Sequence, residues 1–186
     1  MWPDVRKPQL KMAQPSKTGE MWGPIIEKAW AKVKGSYTNA DGGLIENGLR
    51  ALTGAPVYIF ETKANKVEAD IKSLFDMIKK AEMLSYIMTA GTDGLSDTQI
   101  NHCGIDMGHA YSILTYFTLK ESSGKTHDML LVRNPWGISK YSWHWHFNDK
   151  RWNKDLLKQV PMGIDITDPA ESDMKGYFVM PMEGLL

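Results

Sequence analysis

Two side chains stand out as a pair that could move a proton. His109 opens the run His109-Ala-Tyr-Ser-Ile-Leu, and Asn134 sits in Arg133-Asn-Pro-Trp-Gly at the exit of a second apolar run. A neutral imidazole accepts a proton on one nitrogen and donates from the other. A carboxamide oxygen can take the donated hydrogen bond and hold the ring in one tautomer and one orientation. The second nitrogen is then free to serve a third group, and if that group is a thiol the pair becomes thiolate and imidazolium. Trp136 lies two positions beyond Asn134, where its ring can cover the His–Asn bond and keep water from competing for it. A single strand histidine is more often a packing residue, so the chemistry rests on the pair and not on His109 alone.

The elements around the pair are predicted to bring it together. His109 to Leu119 reads as a long strand with His109, Tyr111, Ile113 and Phe117 on one face, 120–127 as an exposed turn, and Met129 to Arg133 as the returning partner. His109 and Asn134 then occupy the outer ends of an antiparallel hairpin, and those ends are neighbours. Pro135 cannot donate to a ladder and Gly137 permits a tight turn, so the chain leaves the sheet at this point. Upstream, residues 1–19 read as an extended lead-in. Amphipathic helices are predicted over Glu20 to Lys34, closed by Gly35, over Leu44 to Leu52, stopped by Gly54, and over Lys66 to Glu82. Further strands are predicted at Pro56 to Thr62, Leu84 to Ala90 and Tyr177 to Met182, and Tyr141 to Phe147 alternates aromatic and polar residues. The stretch 91–107 is a polar loop, long enough to suggest function. Helices first and antiparallel strands after them define an α+β fold, with the N-terminal helices on a mainly antiparallel sheet or open barrel.

Composition narrows the classes. The chain has 186 residues, with 22 basic and 22 acidic side chains. That balance gives no basic surplus pointing to nucleic acid, though it leaves room for scattered basic patches, and no stretch is apolar enough for a membrane span. One cysteine, Cys103, excludes an internal disulfide, which fits an intracellular and cytoplasmic protein. Other candidate groups are weaker. His102 with Cys103, or His144 with His146 on one face of a strand, could contribute to a zinc site, but no spacing matches a zinc motif. Trp143, Trp145 and Trp152 could line a cleft and more often would pack core and rim.

The motifs carry a resemblance. Gly108-His-Ala-Tyr-Ser-Ile-Leu, a variable hairpin and Leu130-Leu-Val-Arg-Asn-Pro-Trp-Gly are similar to the calpain family of cysteine proteases. Glu20-Met-Trp-Gly-Pro-Ile-Ile-Glu-Lys-Ala-Trp-Ala-Lys, Gly35-Ser-Tyr with Gly42-Gly43, and Gly176-Tyr-Phe-Val-Met extend the likeness over about 20–182, in order. The resemblance implies a thiol protease of the Cys-His-Asn type, a hydrolase of internal peptide bonds in proteins. His109 would be general base and imidazolium partner, Asn134 would orient it and Trp136 would shield the bond. What is covered corresponds to the second, His/Asn-bearing half of the protease core, folded like that half of a papain-like protease. Residues 20–186 would form this C-terminal subdomain.

Two departures from the family pattern shape the expectations. The nucleophile half, with its Gly-x-Cys-Trp helix start, has no counterpart in this sequence. Cys103 lies in a polar loop six residues before His109 and reads as a loop or core cysteine, so the chain carries no nucleophile and is expected to be inactive alone. Its expected partners are a nucleophile-bearing half and protein substrates. Calpains use calcium, which needs six to eight oxygens. Here Gly137-Ile-Ser-Lys140 follows the turn and Met174-Lys-Gly-Tyr177 stands near the end, leaving Asp149 and Asp173 nearby. No metal is therefore expected to bind this half. Both a piece of a longer protease and a short protein that has lost the other half fit this pattern. So does a protein of another class, a non-catalytic, protease-derived module that binds peptides or another protein chain through the old cleft and the exposed face that once met the other half.

Overall fold

In the computed structural model the described residues are 13–16, 18–62 and 68–185. They fall into two compact units, Met1–Val57 and Tyr58–Leu186. The first contains α1 (Trp22–Lys34) and α2 (Ile45–Thr53). Each ends at a glycine in the left-handed region, Gly35 and Gly54, whose N–H bonds back to a carbonyl of the last turn. Asn39 donates from its amide to the carbonyl of Lys34 and so covers another group left open at the end of α1.

The second unit is built on a four-stranded antiparallel sheet in the order β1 (Met88–Gly91), β2 (Ala110–Lys120), β3 (Thr126–Arg133) and β4 (Tyr177–Pro181). Helices α3 (Glu68–Met83), α4 (Lys154–Leu157) and α5 (Pro169–Lys175) accompany it. The arrangement is α+β, as the sequence pattern predicts. β3 is central, and its run Met129-Leu-Leu-Val is buried on both faces. Leu130 and Val132 join Leu74 and Ile78 of α3 with Tyr111, Ile113, Phe178 and Met180 in one core. Met129 and Leu131 face a second core with Leu119, Trp145, Leu156, Val160, Ile166 and Val179. Each such side chain removed from water contributes about 2 kcal/mol.

Several predicted elements are corrected. Phe117 does not share a face with Tyr111 and Ile113. The β2–β3 register shifts between Ile113 and Thr115, so one extra residue enters β2 and Phe117 turns to the second core. Glu82 of α3 supports this bulge, accepting from the Thr115 hydroxyl and the Tyr116 N–H. The predicted strand from Pro56 to Thr62 is not a strand. Phe60 packs on the first core while Tyr58 and Ile59 are exposed, so the alternation that a sheet face requires is broken, and propensity alone does not make a strand. The strand predicted from Leu84 begins only at Met88, because Leu84 to Tyr86 finish α3. Ser85 adopts a left-handed backbone and the Tyr86 N–H returns to the Ala81 carbonyl. Lys66 and Val67, at the start predicted for α3, lie outside the described residues.

Tyr141 to Phe147 is likewise not a strand. Trp145 takes a left-handed φ of 65° and its N–H is held by Asp149 Oδ2 at 2.9 Å, which reverses the chain. His144 and His146 thus share no strand face. The Arg151 guanidinium holds the Asp149 carboxyl well below the usual carboxylate range, helped by the backbone N–H groups of Arg151 and Trp145 against the opposing effect of burial. Arg151 also lies over the Trp145 ring at 3.9 Å. The folded carboxyl holds its proton less tightly than the unfolded one, so acidification loads the unfolded chain first. The stability this carboxylate supplies is full above about pH 5 and is lost as pH falls below about 4. Asp149→Asn is expected to cost about 1–2 kcal/mol at neutral pH, the partly exposed guanidinium being screened by solvent. It should also flatten the acid side of the stability profile. Urea unfolding at pH 7 and pH 3 checks both.

Candidate active site

His109 and Asn134 each lie one residue outside a strand, and short local contacts set both. His109 precedes β2. Its N–H donates to Thr92 Oγ1 at 3.0 Å and its carbonyl accepts from the Thr92 N–H at 2.9 Å. Thr92 in turn donates its hydroxyl to the Asp106 carbonyl at 2.7 Å. Asn134 follows β3. Its N–H donates to the Gly176 carbonyl at 2.9 Å, and its own carbonyl accepts from the Gly137 N–H at 3.0 Å. Asn-Pro-Trp-Gly is therefore a β-turn with proline at its second position, where the fixed φ of the ring suits the turn. Asn134 Oδ1 also accepts from the Trp136 N–H at 3.0 Å, an Asx-turn within the β-turn.

The two side chains meet. His109 Nε2 lies 2.9 Å from Asn134 Oδ1. The Trp136 ring, 50% exposed, lies against the imidazole with centroids 4.2 Å apart, and Tyr111 meets the imidazole edge-on at 5.0 Å. Asn134 is 2% exposed, so its amide must be satisfied within the protein. Its Nδ2 donates to Asp106 Oδ2 at 3.1 Å. An amide with a carboxylate on one side and a backbone N–H on the other has a single sensible orientation, nitrogen to Asp106 and oxygen to Trp136. That orientation obliges His109 to donate from Nε2. The proton is then on Nε2, and Nδ1 keeps its lone pair with no hydrogen-bond partner among the described residues.

Asp106 is itself 1% exposed and fully engaged. Oδ1 accepts from Lys140 Nζ at 2.7 Å. Oδ2 accepts from the Tyr111 hydroxyl at 3.3 Å as well as from Asn134, and the Asp106 N–H donates to the Tyr111 oxygen at 2.8 Å. Burial pushes the Tyr111 hydroxyl well above the ordinary phenol range, which keeps it a donor. Sequence reasoning missed Asp106, Thr92 and the pairing of Lys140 with Asp106. The one available signal was an Asp three positions before the histidine in a glycine-flanked loop, and nothing in the chain order links it to Asn134.

The remaining candidates do not join this cluster. Cys103 has its N–H on Asn101 Oδ1 and its carbonyl on the Ser142 N–H, and the side chain packs against the first core. Burial pushes its thiol up, the reverse of what an attacking thiolate needs. The tryptophans divide between the cores, Trp143 on the first and Trp145 with Trp152 on the second. Among the described residues no three His, Cys, Asp or Glu side chains gather as they would around a metal ion, and no helix is long and apolar enough to cross a membrane.

A histidine and an asparagine thus meet at the open ends of an antiparallel hairpin, with a tryptophan ring over the imidazole. Residues 2–183 match the family model described as calpain family cysteine protease, and the chain belongs to that family. It is 34% identical over 152 residues to the calpain-type cysteine protease ADL1 of Oryza sativa subsp. japonica, covering 78% of this chain and 7% of that protein. It is 26% identical over 189 residues to calpain-5 of Mus musculus, covering 91% of this chain and 30% of that protein. Against the calpain-2 catalytic subunit of Homo sapiens it is 29% identical over 148 residues, 78% of this chain and 20% of the relative. The chain thus spans less than a third of the length of each of these relatives.

Proposed function

We propose that this chain supplies the histidine and asparagine of a calpain-type cysteine endopeptidase acting on proteins in the cytoplasm. The observation that carries the reading is the 2.9 Å contact from His109 Nε2 to Asn134 Oδ1, with the amide orientation that leaves Nδ1 basic. A thiol on a second, nucleophile-bearing half gives its proton to Nδ1, and the pair becomes thiolate and imidazolium. The sulfur attacks the peptide carbonyl, and the imidazolium returns the proton to the departing amine. A thioester remains, which water hydrolyses as His109 takes a proton from the water and passes it back to the sulfur. Asn134 Oδ1 accepts from Nε2–H throughout, and Trp136 limits water at that bond. Cys103 takes no part, since its core packing and raised pKa suit a structural thiol. The chain alone is therefore inactive. Mixing it with a nucleophile-bearing half and assaying peptide cleavage tests the reading, with cleavage expected only in the mixture.

Calcium does not fit this chain by the family's mode. Asp149 already accepts from Arg151 and from two backbone N–H groups, and Lys140 stands beyond the turn with its charge spent on Asp106. A site of six or more oxygens cannot be assembled around them without breaking these bonds, and the Asp173 side chain lies outside those described. Calcium from micromolar to millimolar is expected to leave the unfolding midpoint of the chain unchanged, because a ligand that binds only the folded state must raise it. A calcium-dependent rise overturns this.

A further inference from the structure

We propose that Asp106 is a positioning residue for the His109–Asn134 pair, its carboxylate anchored by Lys140 so that it dictates which way the Asn134 amide points and hence which nitrogen of His109 carries the proton. The inference rests on the reading of that pair as catalytic machinery and adds a residue that acts through it.

The geometry runs in one direction. Lys140 Nζ is 2.7 Å from Asp106 Oδ1 and, with its side chain 46% exposed, brings a solvated cation to a carboxylate that is 1% exposed. The lysine offsets the cost of burying that charge, which would be large if it were unpaired. The groups facing the carboxylate are Lys140, the Tyr111 hydroxyl and the Asn134 amide, and all three donate to it. A carboxylate is acceptor only, so Asn134 must present Nδ2 to it and Oδ1 to His109. Orientation is thereby imposed from the buried side of the amide, where solvent cannot substitute, and the Trp136 N–H on Oδ1 favours the same orientation.

Asp106→Asn changes no shape and reverses this logic. The introduced amide has one acceptor oxygen where the carboxylate had two, and the ammonium of Lys140 takes it. The new NH₂ group then faces Asn134, which relieves the donor–donor contact by turning its oxygen inward and its Nδ2 toward His109, at the loss of the bond from the Trp136 N–H to Oδ1. Nε2 must accept, and the proton moves to Nδ1, where it blocks the base. Removing the competing cation as well, in Asp106→Asn/Lys140→Met, frees the oxygen of the introduced amide for Asn134 and should restore the original tautomer.

The test uses the full chain labelled with ¹⁵N in its histidines and asparagines, and two-bond ¹H–¹⁵N correlation spectra above the titration of the imidazole. His109 is expected mainly as Nε2–H in the wild type, mainly as Nδ1–H in D106N, and mainly as Nε2–H again in D106N/K140M. A folded D106N with the wild-type tautomer ratio overturns the inference. The wild type provides a check that needs no variant. One Asn134 side-chain amide proton should be shifted downfield and protected from exchange by Asp106, and two rapidly exchanging equivalent protons would overturn the inference even if D106N does not fold. In the reconstituted protease D106N should lower kcat and leave KM unchanged. The tautomer readout needs no cleavage, so its failure is distinct from failure of the catalytic reading, which shows as cleavage indifferent to His109.

Discussion

Cleavage by the reconstituted protease is expected to fall on the order of 10⁴-fold when His109 is replaced by alanine. No other described side chain is placed to take over. Asn134 has no titratable proton, and Tyr111, which meets the imidazole edge-on, has its hydroxyl committed to Asp106. The loss should fall on kcat, because His109 makes its proton transfers in the transition state and not in substrate binding. Asn134→Ala is expected to be milder, on the order of 10²-fold, since the base survives and only its placement degrades. Peptide cleavage at saturating substrate, with far-ultraviolet circular dichroism to verify folding, measures both. Cleavage unaltered by His109→Ala would refute the proposed function.

A large structural effect is expected at Gly176, whose substitution by alanine should cost about 3 kcal/mol and disable the site together with the fold. Its φ is +75°, and a Cβ there would stand 2.5 Å from the carbonyl oxygen of Asn134 and 3.1 Å from the Gly137 backbone. None of these is a flexible side-chain end, so the Asn-Pro-Trp-Gly turn must move. The Gly176 carbonyl also takes the Asn134 N–H, and its N–H caps α5 on Glu171. Displacement of the turn shifts Asn134 and with it the imidazole. Gly124 in the β2–β3 turn is the control. It has φ +88°, and a Cβ added there would meet nothing within 4 Å, so Gly124→Ala should show only the left-handed backbone cost of about 1 kcal/mol. Thermal unfolding of the two variants separates crowding from conformational strain, and equal losses would deny any special role to the Gly176 contact.

Gly176 also shows how far the sequence could be read. The segment Gly176-Tyr-Phe-Val-Met is recognisable as a motif, but its purpose appears only where the glycine backbone touches the turn of Asn134. The bulge between Ile113 and Thr115 was invisible for a related reason. Strand alternation is written in residue type, and the Tyr111, Ile113, Phe117 pattern stays apolar whichever core each one enters. The missing strand at Pro56 to Thr62 marks the limit of propensity, since Tyr58 and Ile59 suit a sheet that does not include them.

What the sequence by itself determined is local. The turn at Asn134, the central buried strand before it and the hairpin that returns to His109 follow from proline, glycine and apolar runs over a few positions, and their order is enough to place His and Asn at neighbouring ends. Tertiary structure alone decided the state of the imidazole. That depends on Asp106 reaching Asn134 across 28 positions and Lys140 reaching Asp106 across 34. Donor and acceptor in such a buried network are assigned by which groups the fold presses together and shuts away from water, and chain order carries no record of that.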